Sequence, residues 1–117
     1  MDFDLDLRFQ KLKTAMASKF GMDMDEKALL FLIGVNEYGK GQRNYTKNEK
    51  MDLMHVAICT VLMPYGYYEF VGRDEQEWPH FKLLKPLPAL SHREQQYLLK
   101  EAILEYMMLH EYYTENP

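Results

Sequence analysis

Residues 67–85, Tyr67-Tyr68-Glu69-Phe70-Val71-Gly72-Arg73-Asp74-Glu75-Gln76-Glu77-Trp78-Pro79-His80-Phe81-Lys82-Leu83-Leu84-Lys85, decide the fold. Two runs rich in aromatic residues flank a short acidic stretch, which is the pattern of a β-hairpin. With Asp74 to Glu77 as the loop, the strands pair Arg73–Trp78, Gly72–Pro79, Val71–His80, Phe70–Phe81, Glu69–Lys82 and Tyr68–Leu83. Aromatic then meets aromatic, acid meets base and Arg lies beside Trp, each a favourable cross-strand pair. A slip by one residue loses these matches and turns every side chain to the other face. In this register Tyr68, Phe70, Phe81 and Leu83 share one face and are expected to pack on helices. Tyr67, Val71 and Trp78 point away from that core, among Glu69, Arg73, His80 and Lys82.

Helical signals lie on both sides of the hairpin. Leu5, Phe9, Leu12, Met16 and Phe20 recur every three or four residues, with Ala15 beside them and Arg8, Lys11, Lys13 and Lys19 mostly off the stripe, so the first helix is amphipathic. Asp2, Asp4 and Asp6 sit at its start, where the helix dipole favours carboxylates, and Gly21 stops it. Asp23-Met-Asp-Glu26, Thr46-Lys-Asn-Glu49 and Ser91-His-Arg-Glu94 each place a small oxygen-bearing residue three positions ahead of Glu. The Thr and Ser examples are capping boxes and the Asp example a variant, predicting helices from about Met24 to Tyr38, Lys47 to Met63 and His92 to Tyr113. Ala28 to Ile33 is apolar nearly all round, so the second helix is buried on most sides, and Gly39 ends it. The third turns almost wholly apolar after its first turn, until Pro64 and Gly66 break it. Pro86 and Pro88 make a stiff connector after the hairpin. On the last helix Leu98, Ala102, Tyr106, Leu109 and Tyr113 form a stripe, widened by Leu99, Ile103 and Leu104. The expected architecture is α+β and mostly α: three helices, a two-stranded antiparallel β-hairpin and a long C-terminal helix, in a single domain over residues 1–117.

Composition narrows the classes of function. At 117 residues the chain can hold a core without staples, and its 47% hydrophobic and 27% charged shares are those of a folded globule rather than a disordered segment. Nine Tyr, nine Met, six Phe and one Trp favour a core rich in aromatics and Met, with contact surfaces as the second use. Cys59 is the only cysteine, so no intrachain disulfide forms. The opening Met1-Asp2-Phe3-Asp4 has no basic or apolar leader, and no apolar run approaches the ~20 residues that span a bilayer, so a cytoplasmic protein without a membrane segment is expected. A formal net charge of −4 disfavours general binding to nucleic acid, whose affinity comes from neutralising phosphates.

Three groups of residues invite chemistry. Asp52, His55 and Cys59 fall at spacings of three and four on the third helix, where a carboxylate can orient an imidazole and the imidazole can activate a thiol. The surrounding Leu-Met-His-Val-Ala-Ile-Cys-Thr-Val-Leu favours a structural role instead, since buried thiols are inert. No histidine spacing is that of a metal site, and no cofactor is expected. Gly39-Lys-Gly41-Gln-Arg43 leads into the third helix and brings Lys40, Arg43 and Lys47 near a helix N-terminus that attracts anions. It lacks the spacing of a phosphate loop, and a solvated interhelical connection is the plainer reading. The order of three helices and a hairpin is also that of a winged helix, in which the third helix enters the DNA major groove. Asp74, Glu75 and Glu77 make the hairpin tip acidic, which phosphates repel, so this alternative ranks last.

The hairpin's outward face gives the leading functional expectation. Tyr67, Val71, Arg73, Trp78 and His80 combine aromatic anchors with a charged rim, the composition of a recognition surface. Lys50-Met-Asp-Leu-Met-His55, Pro64-Tyr-Gly-Tyr-Tyr-Glu69, Arg73-Asp74, Trp78-Pro79-His80 and Lys85-Pro-Leu-Pro88 together resemble a group of short uncharacterised bacterial proteins. That resemblance implies no activity, cofactor or site residue. The sequence thus points to a non-catalytic interaction or structural protein, pairing with itself as a homodimer or with another protein. The alternative is a small-ligand or metal-binding protein, or an enzyme, centred on Asp52, His55 and Cys59.

Overall fold

The amphipathic stripe at the start of the chain forms helix α1, Phe3–Phe20, with Asp4 and Asp6 in its first turn. It is followed by α2 (Glu26–Tyr38), α3 (Lys47–Leu62), a 3-10 turn over Met63–Tyr65, strands β1 (Tyr68–Arg73) and β2 (Pro79–Leu83), and α4 (His92–Leu109). The computed structural model describes residues 3–41, 43–86 and 90–115. Asp2 of the acidic helix start, Gln42 of the glycine-containing loop, and Leu87 and Pro88 of the connector lie outside them. The architecture is α+β and mostly α, with three helices, a two-stranded antiparallel hairpin and a long last helix. No helix among the described residues is long and apolar enough to cross a membrane.

Two capping boxes form as their sequences require. The Thr46 hydroxyl accepts the Glu49 amide at 3.1 Å while the Glu49 carboxylate accepts the Thr46 amide at 2.8 Å. Ser91 and Glu94 repeat the arrangement at 3.2 and 2.9 Å. The Asp23 variant does not set a boundary. Because α2 begins at Glu26, that residue occupies the first helical position rather than the third. At the other end of the chain, α4 stops at Leu109 instead of reaching Tyr113. Glu111 takes φ +62°, its amide donates to Met108 O at 3.1 Å and that of Tyr112 to Met107 O at 2.9 Å. These are the two bonds of a Schellman ending, with Glu where glycine is usual.

Internal packing divides the chain into two compact units, one of α1 and α4 with their flanking residues, the other spanning Lys27–Ala89. In the first, α1 buries Leu5, Phe9, Leu12 and Met16, while Phe20, the last member of the predicted stripe, is exposed at the helix end. Its partner α4 buries Ala102, Ile103, Leu104, Tyr106 and Met107, and Leu109 turns outward. Each fully buried Leu or Ile contributes about 1.5–3 kcal/mol through removal from water. Asp6 lies 3.8 Å from Lys100, and the Lys19 ammonium donates to Tyr112 O at 3.3 Å, so the two helices run in the same direction. Arg8 closes this unit with a two-pronged bond to Glu115, at 2.6 and 2.8 Å. That bond raises the pKa of the guanidinium and lowers that of the Glu115 carboxyl.

In the second unit α2 and α3 cross at Gly34. A Cβ placed there would meet Leu53 O at 2.1 Å and Leu53 C at 2.6 Å, so only glycine allows this approach. Around the crossing Val35, Tyr38, Tyr45 and Leu53 form a buried cluster, with Phe31 and Trp78 packed against it. Tyr45 donates its hydroxyl to Gly41 O at 2.7 Å, and Thr60 satisfies its own on Val56 O at 2.8 Å. The hairpin leans on α3 through both strands.

Its register agrees with expectation for Tyr68–Leu83, Glu69–Lys82 and Phe70–Phe81 and then shifts. Gly72 pairs with His80 and Arg73 with Pro79, leaving Val71 as a β-bulge. The cause is the loop. Asp74 accepts the amides of Gln76 and Trp78 on its carboxylate at 2.9 and 3.0 Å and bonds the Trp78 carbonyl through its own amide at 3.0 Å, so the hairpin closes across residues 74 and 78. Five residues therefore lie between the paired Arg73 and Pro79, one more than the four expected between Arg73 and Trp78, and Gly72 absorbs the surplus at φ +125°, which side chains disfavour.

Candidate functional site

On α3 the sequence brings Asp52, His55 and Cys59 to one arc, and the structure separates their roles. His55 and Asp52 are exposed, and no hydrogen bond or ion pair joins them among the described residues. The Cys59 sulfur lies 3.6 Å from His55 Nε2 but is itself only 1% exposed. Burial pushes the thiol pKa up to about 11, away from the thiolate that nucleophilic or metal chemistry needs. Burial likewise raises the Tyr68 phenol, with the neighbouring Cys59 adding to it. Among the described residues no three of His, Cys, Asp and Glu come together as metal ligands. The arrangement is an imidazole covering a buried neutral thiol, without a carboxylate to orient it.

The basic residues after α2 are engaged by acids and rings. Lys40 pairs with Glu77, holding that carboxyl below its ordinary range. Arg43 lies 3.5 Å from Glu49 and over the rings of Tyr38 and Tyr45, with centroids at 5.7 and 4.9 Å. Lys47 is exposed on the first turn of α3, whose N-terminal amides are met by the Thr46–Glu49 box. An anion entering here would compete with carboxylates already in place.

The hairpin departs most from expectation. Trp78 is not an outward anchor, because its ring lies against Tyr38 with centroids 4.5 Å apart and joins the α2–α3 cluster. Arg73 is exposed but turned towards α2. Its guanidinium donates to Glu37 O at 2.6 Å and Tyr38 O at 3.0 Å, the open carbonyls at the end of α2, and to Glu77 O at 2.8 Å. A cation there satisfies helix-end acceptors and complements the dipole, so Arg73 fastens the hairpin tip to α2. His80 bonds Asp74 at 2.8 Å, and this bond, ahead of the loop amides, holds the Asp74 carboxyl below its usual range. Tyr67 is half-buried beneath the Lys85 ammonium, 4.8 Å from the ring centroid. Of the five residues expected to form a recognition face, Val71 is exposed on the bulge, and His80 is exposed but held by Asp74.

The opposite face, expected to be core, is covered only in part. Phe70 is 47% exposed and Leu83 53%, while Tyr68 and Phe81 are half-buried and Pro79 alone is buried. Phe70 and Phe81 stack edge-to-face with centroids 5.7 Å apart. Glu69 and Lys82 sit across the sheet from this patch, and Arg73, opposite Pro79, is the charged residue at its far end. Alternation along the strands identified the members of the face correctly, but periodicity does not say whether a helix reaches far enough to cover it. Scans of family models, curated proteins and solved structures find no match to this chain.

Proposed function

We propose that this chain is a non-catalytic interaction protein that associates with a second copy of itself through the Phe70–Phe81–Leu83 face of its hairpin. The single observation that carries the reading is the exposure of Phe70 and Leu83, large apolar side chains on one face of the hairpin. Apolar surface left in water on a small sheet gains free energy by association, at about 25 cal/mol for each Å² covered. A neutral thiol at Cys59, basic loop residues held by carboxylates and an acidic hairpin tip support neither a nucleophilic site nor an anion or DNA site as well. A lone reduced thiol fits work in the cytoplasm.

Sedimentation velocity over a concentration series tests this reading. The expected result is a monomer–dimer equilibrium that Phe70→Ser combined with Leu83→Ser moves to monomer with the helical signal retained. A wild-type chain that stays monomeric at every concentration reached would remove the proposal.

A further inference from the structure

We propose that the second copy joins edge to edge along β2, giving a four-stranded antiparallel sheet in the order β1-β2-β2′-β1′; this rests on the self-association proposed above. The direction of the backbone groups carries it. The Leu84 amide donates to Tyr67 O at 2.9 Å. Bonded and non-bonded pairs alternate in an antiparallel ladder, so Glu69–Lys82 is the next bonded pair and Tyr68–Leu83 and Phe70–Phe81 are non-bonded. The N–H and C=O of Phe81 and Leu83 therefore point out of the sheet, away from β1. Among the described residues the sheet has two strands, so no neighbouring strand takes up those groups.

The two edges are not equivalent. On β1 the bulge at Val71 and the positive φ of Gly72 interrupt the edge just past Phe70. β2 is regular from Phe81 to Leu83, and the missing N–H of Pro79 marks where pairing ends. A two-fold axis at Lys82 sets Phe81 opposite Leu83 of the second copy and Leu83 opposite its Phe81. Each of these pairs exchanges both of its bonds and sets a Phe81 ring beside a Leu83 side chain on the apolar face, which covers part of it. Shifting the axis to Phe81 would set Leu83 opposite Pro79, which has no N–H to give. At the chosen axis Lys82 faces its own counterpart, with Glu69 behind each, so the polar face reads acid, base, base, acid. The central like pair opposes association and is screened by salt.

Lys82→Cys provides the direct test, since residues in a non-bonded antiparallel pair stand about 4.5 Å apart at Cα, within the span of a disulfide. Under mild oxidation it is expected to give a covalent dimer, whereas Glu69→Cys, one strand away from the axis, gives none. Leu83→Pro removes an outward N–H that the intrachain ladder does not use, and is expected to abolish the dimer while Leu83→Ala only weakens it. In the unsubstituted chain, hydrogen exchange at Phe81 and Leu83 is expected to slow at least ~10-fold on going from monomer to dimer. A dimer whose Phe81 and Leu83 amides still exchange freely, and which Lys82→Cys fails to cross-link, would overturn strand pairing and leave face-to-face association standing. Absence of any dimer would instead remove the self-association beneath it. Should Leu83→Pro unfold the hairpin, cross-linking and exchange decide between these outcomes.

Discussion

Gly34→Ala is expected to destabilise the protein although alanine is the better helix former. The added methyl would stand 2.1 Å from Leu53 O and 2.6 Å from Leu53 C, and ordinary contact requires more than 3.4 Å. The obstacle is backbone, which cannot rotate aside, so α2 and α3 must separate by over an ångström at their crossing. That separation loosens Val35, Tyr38 and Leu53, the cluster on which Trp78 rests. Overpacking a close-packed core costs up to about 3 kcal/mol, and more when a helix has to shift. Removing glycine from a helix interior returns about 1 kcal/mol, leaving a net loss of about 2 kcal/mol. With an unfolding entropy of about 2.1 cal/mol/K per residue, the melting temperature falls by roughly 8 °C. Urea titration followed by circular dichroism measures the loss as a lower midpoint at unchanged slope. Hydrogen exchange is expected to place the loosening within Lys27–Ala89. A Gly34→Ala protein as stable as the parent would refute the claim that the crossing is closed by direct backbone contact.

Cys59 is expected to resist alkylation in the native protein at neutral pH and to react once unfolded; rapid native labelling would contradict its neutral, buried state. Its folded pKa lies above the ordinary value of 9.0, so the unfolded chain loses the thiol proton first. Stability is expected to fall as pH rises from about 9 towards about 11, a trend that Cys59→Ala reduces, the raised Tyr68 phenol keeping a share, and that an alkaline denaturation series would reveal. Arg73→Ala leaves the carbonyls of Glu37, Tyr38 and Glu77 without their shared donor and is expected to cost about 2 kcal/mol in denaturant melts. Arg73→Lys is expected to rescue little of it, because a single ammonium cannot span three acceptors in the same way.

The parts of the fold written in short stretches were legible in the sequence. Thr46 with Glu49 and Ser91 with Glu94 satisfy one another within four residues, so nothing distant can alter the result. The Asp23 pattern looked the same, but α2 begins three residues later, and a box needs its Glu at the third helical position. The hairpin register was readable where cross-strand chemistry decided it, from Tyr68 to Phe70, and lost where the Asp74 carboxylate drew in two amides and lengthened the loop. That single added residue also explains Trp78, which stands at the corner of the loop rather than on the ladder. Residue spacing likewise brought Asp52, His55 and Cys59 to one helix face, whereas burial of the sulfur depends on what covers α3. Gly34 carried a readable signal, an isolated glycine inside an apolar helix, which marks either a weak point or a close approach.

The division of the chain into a continuous unit and an interrupted one bears on how it is made. Lys27–Ala89 is a single continuous stretch, so it can gather its core as soon as it leaves the ribosome. The α1–α4 pair has no such freedom. Leu5, Phe9, Leu12 and Met16 are synthesised first, yet the helix α1 lies against starts at His92, near the other end of the chain. During that interval α1 offers an adhesive stripe to any apolar surface nearby. Its matching stripe arrives last, and the Arg8–Glu115 bond can close only when almost the whole chain has emerged.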